Sequence, residues 1–309
     1  MKIRFSLLLA LVLACAAPVW AARDASGPVL SLDAPAGKIL PRNFRTCAFP
    51  FRQEAGPVPS RIGLDGLRIS GSAEFSPGQL GVLAANLPGP VTVVDLRRES
   101  HGMLGDAAVS WYAPQNQGNP GERAPAVAAA EASLLAGIDD KPAVAVEDHL
   151  KDPATGKKKP PVTVTMGPAV ARCEADTLAA LGLGAFRVAV SDHTRPDDAA
   201  VDRFLRFYRT LEPGVWLHFH CRAGRGRTTT FMAMDDMLAN AGQVSFEDIL
   251  RRQWLLGGAD LTDVSGQYEK ARLAEDRLAF LRRFYDYARA NPGARPLLWQ
   301  AWLAGRGKP

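Results

Sequence analysis

One junction constrains this chain more than any other feature. Val215-Trp216-Leu217-His218-Phe219-His220, an apolar run of strand length, leads straight into Cys221-Arg222-Ala223-Gly224-Arg225-Gly226-Arg227-Thr228, and a helix is expected from Thr228 or Thr229 to about Ala239. A strand, a short glycine-bearing loop and a helix in that order can turn successive backbone N–H groups toward one point. Gly224 and Gly226 supply backbone angles that other residues resist, and the helix brings its positive N-terminal end. The result is a nest for an anion. Arg227 can hold two phosphate oxygens in its planar fork, and the same positive field favours the thiolate of Cys221. Nucleophile and phosphate cradle are then one object that needs no metal. A buried Cys beside an ordinary turn is the alternative. It does not explain why Cys, Gly, Gly, Arg and Thr stand in register between strand and helix.

Thiolate attack on phosphorus requires an acid for the leaving alkoxide and then a base for water. Asp192, in Val190-Ser191-Asp192-His193-Thr194-Arg195-Pro196, ends an expected strand from Phe186 to Val190, where a loop can close over the nest. Asp192 or Thr194 can instead cap the helix that Pro196 opens. Beside Cys221 the acid role is the better reading. Thr228 can donate to the thiolate while also capping the helix.

Other strands alternate with helices along the chain. Strands are expected at Leu67 to Ser70 and Val91 to Leu96. A helix opens at Ser76-Pro77-Gly78-Gln79, with a Ser cap, Pro at the first helical position and Gln three residues after the cap. Further helices cover Glu174 to Leu181, the apolar series Val201 to Leu211, Ser245 to Leu256, and a long run ending near Ala290. This alternation predicts an α/β fold with a mostly parallel central sheet flanked by helices. From 113 to 165 Pro, Gly, Asn and Gln become frequent. One Ala-rich helix (Ala124 to Ala136) and two short strands (Ala143 to Val146, Val162 to Thr165) predict a small β-rich inserted subdomain. The expected division is 1–21 signal peptide, 22–112 and 166–292 core, 113–165 insertion, and 293–309 C-terminal tail. Within the core, 22 to 60 reads as an extended arm, and Lys157-Lys158-Lys159 as a solvated loop rather than a substrate contact.

With 309 residues, 47% of them hydrophobic, the chain can bury a full core, and its formal charge of +5 suits a small anionic substrate as well as nucleic acid. Lys2 and Arg4 precede an apolar run from Phe5 to Ala17. Val19-Trp20-Ala21 follows, as in a secretory signal too short to span a membrane. Cleavage near Ala21 fits better than lipidation of Cys15. Either makes the protein exported, periplasmic or secreted. Of the four cysteines, three then remain, an odd number for an oxidising compartment. Cys47 and Cys173 can pair and leave Cys221 free; unpaired buried thiols are the alternative. Neither CxxC nor a Cys/His cluster at ligand spacing is present, so no metal and no cofactor are expected.

The His-Cys-x5-Arg-Thr run is similar to the signature of the protein tyrosine phosphatase superfamily. The wider set resembles its PTP-like phytase branch: Arg42-Asn43-Phe44-Arg45-Thr46, Asp95 to Gly102, Asp192-His193 with Pro196, and His220 to Thr230 with Phe231. These segments span roughly 39 to 290. The resemblance implies a PTP-like core interrupted by a small barrel-like subdomain. It also implies stepwise removal of phosphates from myo-inositol hexakisphosphate, with Cys221 as nucleophile, Arg227 as phosphate clamp and Asp192 as general acid. The implied partner is this small molecule, with no nucleic acid and no transmembrane span. Arg45, Glu99 and His193 would surround the substrate beyond the scissile phosphate, joined by His220, the loop residues Arg222, Ala223, Gly224, Arg225 and Gly226, and Lys270. Arg45 can alternatively pair a carboxylate, and Glu99 or His101 can brace the nest from a neighbouring loop. The Trp-Pro-Asp acid loop of tyrosine-specific members is absent, and only Lys270, Arg272 and Arg277 offer C-terminal charge near the acidic Asp260 to Asp263 segment.

Overall fold

An apolar strand buried on both faces belongs at the centre of a sheet, and the run before Cys221 is such a strand. In the computed structural model β11 (Trp216–Cys221) is buried at every position. It pairs in parallel with β3 (Ile69–Ala73) on one side and β4 (Val91–Arg97) on the other. β10 (Gly184–Val190) extends the sheet in parallel beyond β4, and β2 (Arg45–Thr46) closes the other edge antiparallel to β3. The order is β10-β4-β11-β3-β2. Parallel strands put their C-terminal ends on one edge, so Ala73, Arg97, Val190 and Cys221 all deliver their following loops to the same place. The structure describes residues 29–113, 116–148, 162–167 and 170–305. The N-terminal apolar run with Cys15 and the Lys157-Lys158-Lys159 run lie outside them.

Helix α5 (Gly226–Asn240) leaves the Cys221 loop and is buried almost throughout. It lies against β3 where Gly71 has no side chain. A Cβ there would stand 2.6 Å from Thr228 Cγ2 and 2.7 Å from Met232 Sδ. Around α5 pack α4 (Asp198–Tyr208), α6 (Phe246–Leu255) and α7 (Glu269–Ala290), whose inward rows include Phe204, Ile249, Phe280 and Phe284 in one core. Ala294, Trp299 and Trp302, from the stretch expected to be a C-terminal tail, belong to this core as well. Helix α8 (Trp299–Gly305) seats Trp299 against Phe280, Phe284 and Tyr287, with ring centroids 5.6, 5.8 and 5.6 Å away. No helix among the described residues is long and apolar enough to cross a membrane.

On the other face, α1 (Pro77–Ala85) starts at the expected Ser76–Gln79 capping box, and α3 (Glu174–Ala180) starts at Cys173. A second sheet has the order β8-β7-β1-β6-β5-β9. Only β7 (Val144–Asp148) and β8 (Val162–Met166) come from the 113–165 stretch, which also holds α2 (Ala124–Ala136). β1 (Val29–Ala34) comes from the segment read as an extended arm. β5 (His101–Leu104) and β6 (Ala107–Tyr112) follow directly on β4, and β9 is Ala171–Arg172. The second sheet therefore grows out of the loop that leaves β4 and is built into the site edge.

Cys47, Cys173 and Cys221 are all free thiols. The expected Cys47–Cys173 disulfide does not form, because the two sit in different surroundings. Cys47 is buried in the main core beside Gln253, whereas the Cys173 sulfur accepts from the Asp176 N–H at 3.4 Å to cap α3.

Removing the Trp299 ring leaves a cavity among four aromatic neighbours. Trp299→Ala should destabilise the protein by about 3–5 kcal/mol, read as a lower urea midpoint at unchanged slope.

Candidate active site

The loop between Cys221 and Arg227 is held from outside by two side chains of the β2 strand and its approach. Asn43 Nδ2 donates to Ala223 O at 2.8 Å, and Arg45 Nη1 donates to Gly224 O at 2.8 Å. Because a peptide's C=O and N–H point in opposite directions, carbonyls drawn outward leave the N–H groups of Gly224 and Arg225 turned inward. Gly224 sits at φ +66°, and a Cβ on it would lie 2.3 Å from Ala73 N. Gly226 does not share that conformation; it is the first residue of α5, so only one of the two glycines serves the loop by left-handed backbone. Thr228, two residues into the helix, donates from Oγ1 to Cys221 Sγ at 3.1 Å, as expected for a hydroxyl stabilising a thiolate.

Arg227 is buried with its fork already engaged. Nη1 and Nη2 donate to Glu99 at 2.7 and 2.8 Å, and Nη1 also donates to Val190 O at 3.0 Å. The edge left for an anion is Nε, which is buried with no hydrogen-bond partner among the described residues, together with Nη2, which lies 3.4 Å from Asp192 Oδ1. Asp192 is where the sequence predicted it, at the loop after β10. Its Oδ1 accepts from the His193 N–H at 2.9 Å, and its Oδ2 accepts from Asn116 Nδ2 at 2.9 Å.

Beneath the loop runs a ladder of buried charges. Arg97, at the end of β4, reaches Glu99 at 2.9 Å, Glu74 at 2.6 Å and Asp33 at 2.8 Å. Asp33 also accepts from Arg222 Nε at 2.7 Å, which ties β1 to the active loop. Burial alone would push the Glu99 carboxyl up, but the guanidinium groups of Arg227 and Arg97 outweigh it and hold Glu99 well below the usual carboxylate range. His220 lies between Glu174 at 3.1 Å and Glu74 at 3.4 Å. Burial opposes its charge, yet those two carboxylates raise it well above an ordinary histidine. His101 is likewise raised to about 9, against the effect of burial, by Asp95 and Glu131. Glu74, His101 and Glu174 bring ligand-type atoms within 4.8 Å of one another. His101 and His220 face these carboxylates and Arg97 contacts Glu74, so groups of opposite charge already stand against one another in this cluster.

Three residues expected around the substrate are buried side chains with protein partners: Arg45 on Gly224 O, Glu99 on Arg227, and His220 between Glu174 and Glu74. Burial holds the Arg45 guanidinium down at about 10, and besides Gly224 O it donates to Asn43 O and to Thr229 Oγ1, both at 3.1 Å. Above the loop opens a cavity of about 1010 Å³ whose lining includes Asp192, His193, Arg222, Ala223 and Lys270, all expected, and Arg42, which was not. Arg225 points out to Gly257 O at 3.3 Å. Arg272 is exposed, while Arg277 is partly buried beside Gly226, 3.4 Å from where a Cβ would stand. Sequence reasoning also missed Asp33 and Asn116. Neither lies in a patterned segment; a left-handed Asn and a strand Asp become meaningful only once the sheets meet.

A thiol in an anion nest at a strand–helix junction, clamped by an arginine and faced by a carboxyl from the neighbouring strand, defines the PTP-like cysteine phosphatases. A family model for the PTP-like phytases, described as inositol hexakisphosphate, matches residues 174–239. The PTP-like myo-inositol phosphatase from Mitsuokella multacida, solved in complex with myo-inositol-(1,3,4,5)-tetrakisphosphate, is 36% identical with a TM-score of 0.80, over 90% of this chain and 49% of that one. A PTP-like phytase from Bdellovibrio bacteriovorus is 33% identical with a TM-score of 0.69, over 90% of this chain and 95% of that one. Effector protein hopD2 of Pseudomonas syringae pv. tomato is 34% identical over 247 residues, 78% of this chain and 52% of that protein. The chain thus spans about half the length of hopD2 and of the Mitsuokella chain, and nearly all of the Bdellovibrio one. It belongs to the PTP-like phytase family.

Two outcomes follow from the buried ladder. Glu99→Ala strands Arg97 and Arg227 and should cost about 3–5 kcal/mol in chemical denaturation. A histidine raised to about 9 in the fold holds its proton more tightly than the unfolded chain does. The stability His101 contributes is therefore full below about pH 6.5 and lost as pH rises through about 9. The melting temperature should fall across that window, and His101→Gln should flatten that limb.

Proposed function

We propose that this chain is a metal-independent phosphomonoesterase that removes phosphates stepwise from myo-inositol hexakisphosphate and lower inositol polyphosphates. The chemistry runs in two steps. Cys221 Sγ bonds to phosphorus as the ester P–O bond breaks, and the ester oxygen takes the carboxylic proton of Asp192. Water oxygen then bonds to phosphorus, the S–P bond breaks, and the Asp192 carboxylate takes the water's proton. Inward N–H groups and the Nε–Nη2 edge of Arg227 offset the charge on the transferring oxygens. They are fixed before substrate arrives, so little reorganisation accompanies the reaction.

One observation carries the substrate class. The cavity above the nest is about 1010 Å³, and cationic side chains reach it from three separate segments as Arg42, Arg222 and Lys270. A single phosphate needs only the nest; cations spread around the mouth suit a ring that presents several phosphates at once. The inositol tetrakisphosphate in complex with the Mitsuokella phosphatase agrees with this reading. The name effector protein borne by hopD2 favours a second one, a phosphatase acting on phosphotyrosine proteins or phosphoinositides. Export to the periplasm or beyond is part of the proposal, supported by the basic and apolar N-terminal run.

Phosphate release from inositol hexakisphosphate, a phosphotyrosine peptide and phosphoinositides separates these readings. With EDTA present, release from the inositol phosphate should persist, Cys221→Ser should abolish it, and Asp192→Asn should lower kcat by about 100-fold or more. Release from the peptide alone would overturn the inositol phosphate assignment, and release that survives Cys221→Ser would overturn the mechanism.

A further inference from the structure

The catalytic carboxyl is tied to the phosphate clamp by a residue from outside both loops. Asn116 follows β6 at the root of the second sheet. It is buried and in left-handed backbone at φ +58°. Its Nδ2 carries two hydrogens, and two carboxylates lie in reach. Glu99 Oε1 is 3.1 Å away, and Asp192 Oδ2 is 2.9 Å away. The same Glu99 oxygen accepts from Arg227 Nη2, and Arg227 Nη2 approaches Asp192 Oδ1. Arg227, Glu99, Asn116 and Asp192 thus form a closed ring.

We infer that Asn116 is a positioning residue for proton transfer, holding the Asp192 carboxyl over the nest in register with Arg227. The inference rests on the phosphocysteine reading above. Asp192 Oδ1 has two ties, the His193 N–H of its own loop and Arg227 Nη2. An anion in the nest takes the Nη2 edge, so Asn116 is the tie from beyond the acid loop that does not compete with substrate. The residue type fits the task. An amide can donate one hydrogen to each carboxylate, so a single side chain spans Glu99 and Asp192. Asn116 also links the second sheet to the reaction. The sheet's first hairpin leaves β4 just after Glu99, and the chain returns from that hairpin to the site through Asn116.

The test compares leaving groups. Release of an inositol alkoxide needs a proton, whereas p-nitrophenolate departs without one. Asp192 also serves as base in the second step, which both substrates share, so the comparison is made on kcat/KM, which reports the steps through leaving-group departure. For Asn116→Ala, kcat/KM on inositol hexakisphosphate should fall about 10- to 100-fold, and on p-nitrophenyl phosphate less than about 3-fold. Asn116→Gly removes the amide yet suits positive φ, and should behave the same way should the Ala variant fold poorly. In an Asp192→Asn background neither change should lower kcat/KM further. Equal loss on both substrates, or a loss that adds to Asp192→Asn, would overturn the inference. A wild-type protein that turns over neither substrate would refute the phosphatase reading instead. The contact is then read by the Asp192 carboxyl carbon-13 shift, which moves in Asn116→Gly if the tie exists; an unmoved shift overturns it.

Discussion

Glu99 stands between two buried guanidinium groups, and the rest of the site depends on that arrangement. Arg227 is buried, and a buried cation without a partner is too costly to keep. Glu99 supplies the partner by accepting from both terminal nitrogens of the fork. Glu99 is itself buried, so it requires a second cation, and Arg97 provides it. Arg97 in turn requires Asp33 and Glu74. Each charge makes the next one necessary, until the ladder ends at strands of both sheets.

That chain of requirements gives the second sheet its place in the molecule. β1 brings Asp33 under Arg97 and onto Arg222, and the segment after β6 brings Asn116 between Glu99 and Asp192. The main sheet aligns the ends of β3, β4, β10 and β11 on one edge, and the loops after β3 and β10 bring Glu74 to Arg97 and Asp192 to Arg227. The turn from β4 into the second sheet adds Glu99, and β1 of that sheet adds Asp33. Network and cradle are therefore one rigid body, and an anion entering the nest meets donors that are already oriented.

Legibility in the sequence followed the range of the interactions. The Cys221 loop, the β11 strand before it, the Ser76 cap of α1 and the Ala124–Ala136 helix are all local patterns, and each stands where it was expected. β1 was missed because Val29–Ala34 lies in a stretch with no sustained period, and because its partner β6 lies far along the chain. Arg45, Glu99 and His220 were legible as members of a motif, with substrate contact and a structural role both open for Arg45 and Glu99. A motif states which residues occur together, and only burial and partners tell a brace from a ligand. The Cys47–Cys173 pairing came from counting thiols, and counting carries no geometry.

The sequence by itself determined the local frame of the site: a thiol, a left-handed glycine, an arginine and a hydroxyl spaced along one strand–loop–helix junction. Tertiary structure decided everything that depends on desolvation and distance. It set which edge of Arg227 is free, which carboxylates are held ionised, and that Asn116 and Asp33, far apart in sequence, meet at the same loop. The physical reason is the reach of the forces. Backbone conformation and helix ends act over a few residues, whereas a buried charge is satisfied by whatever the fold brings to it.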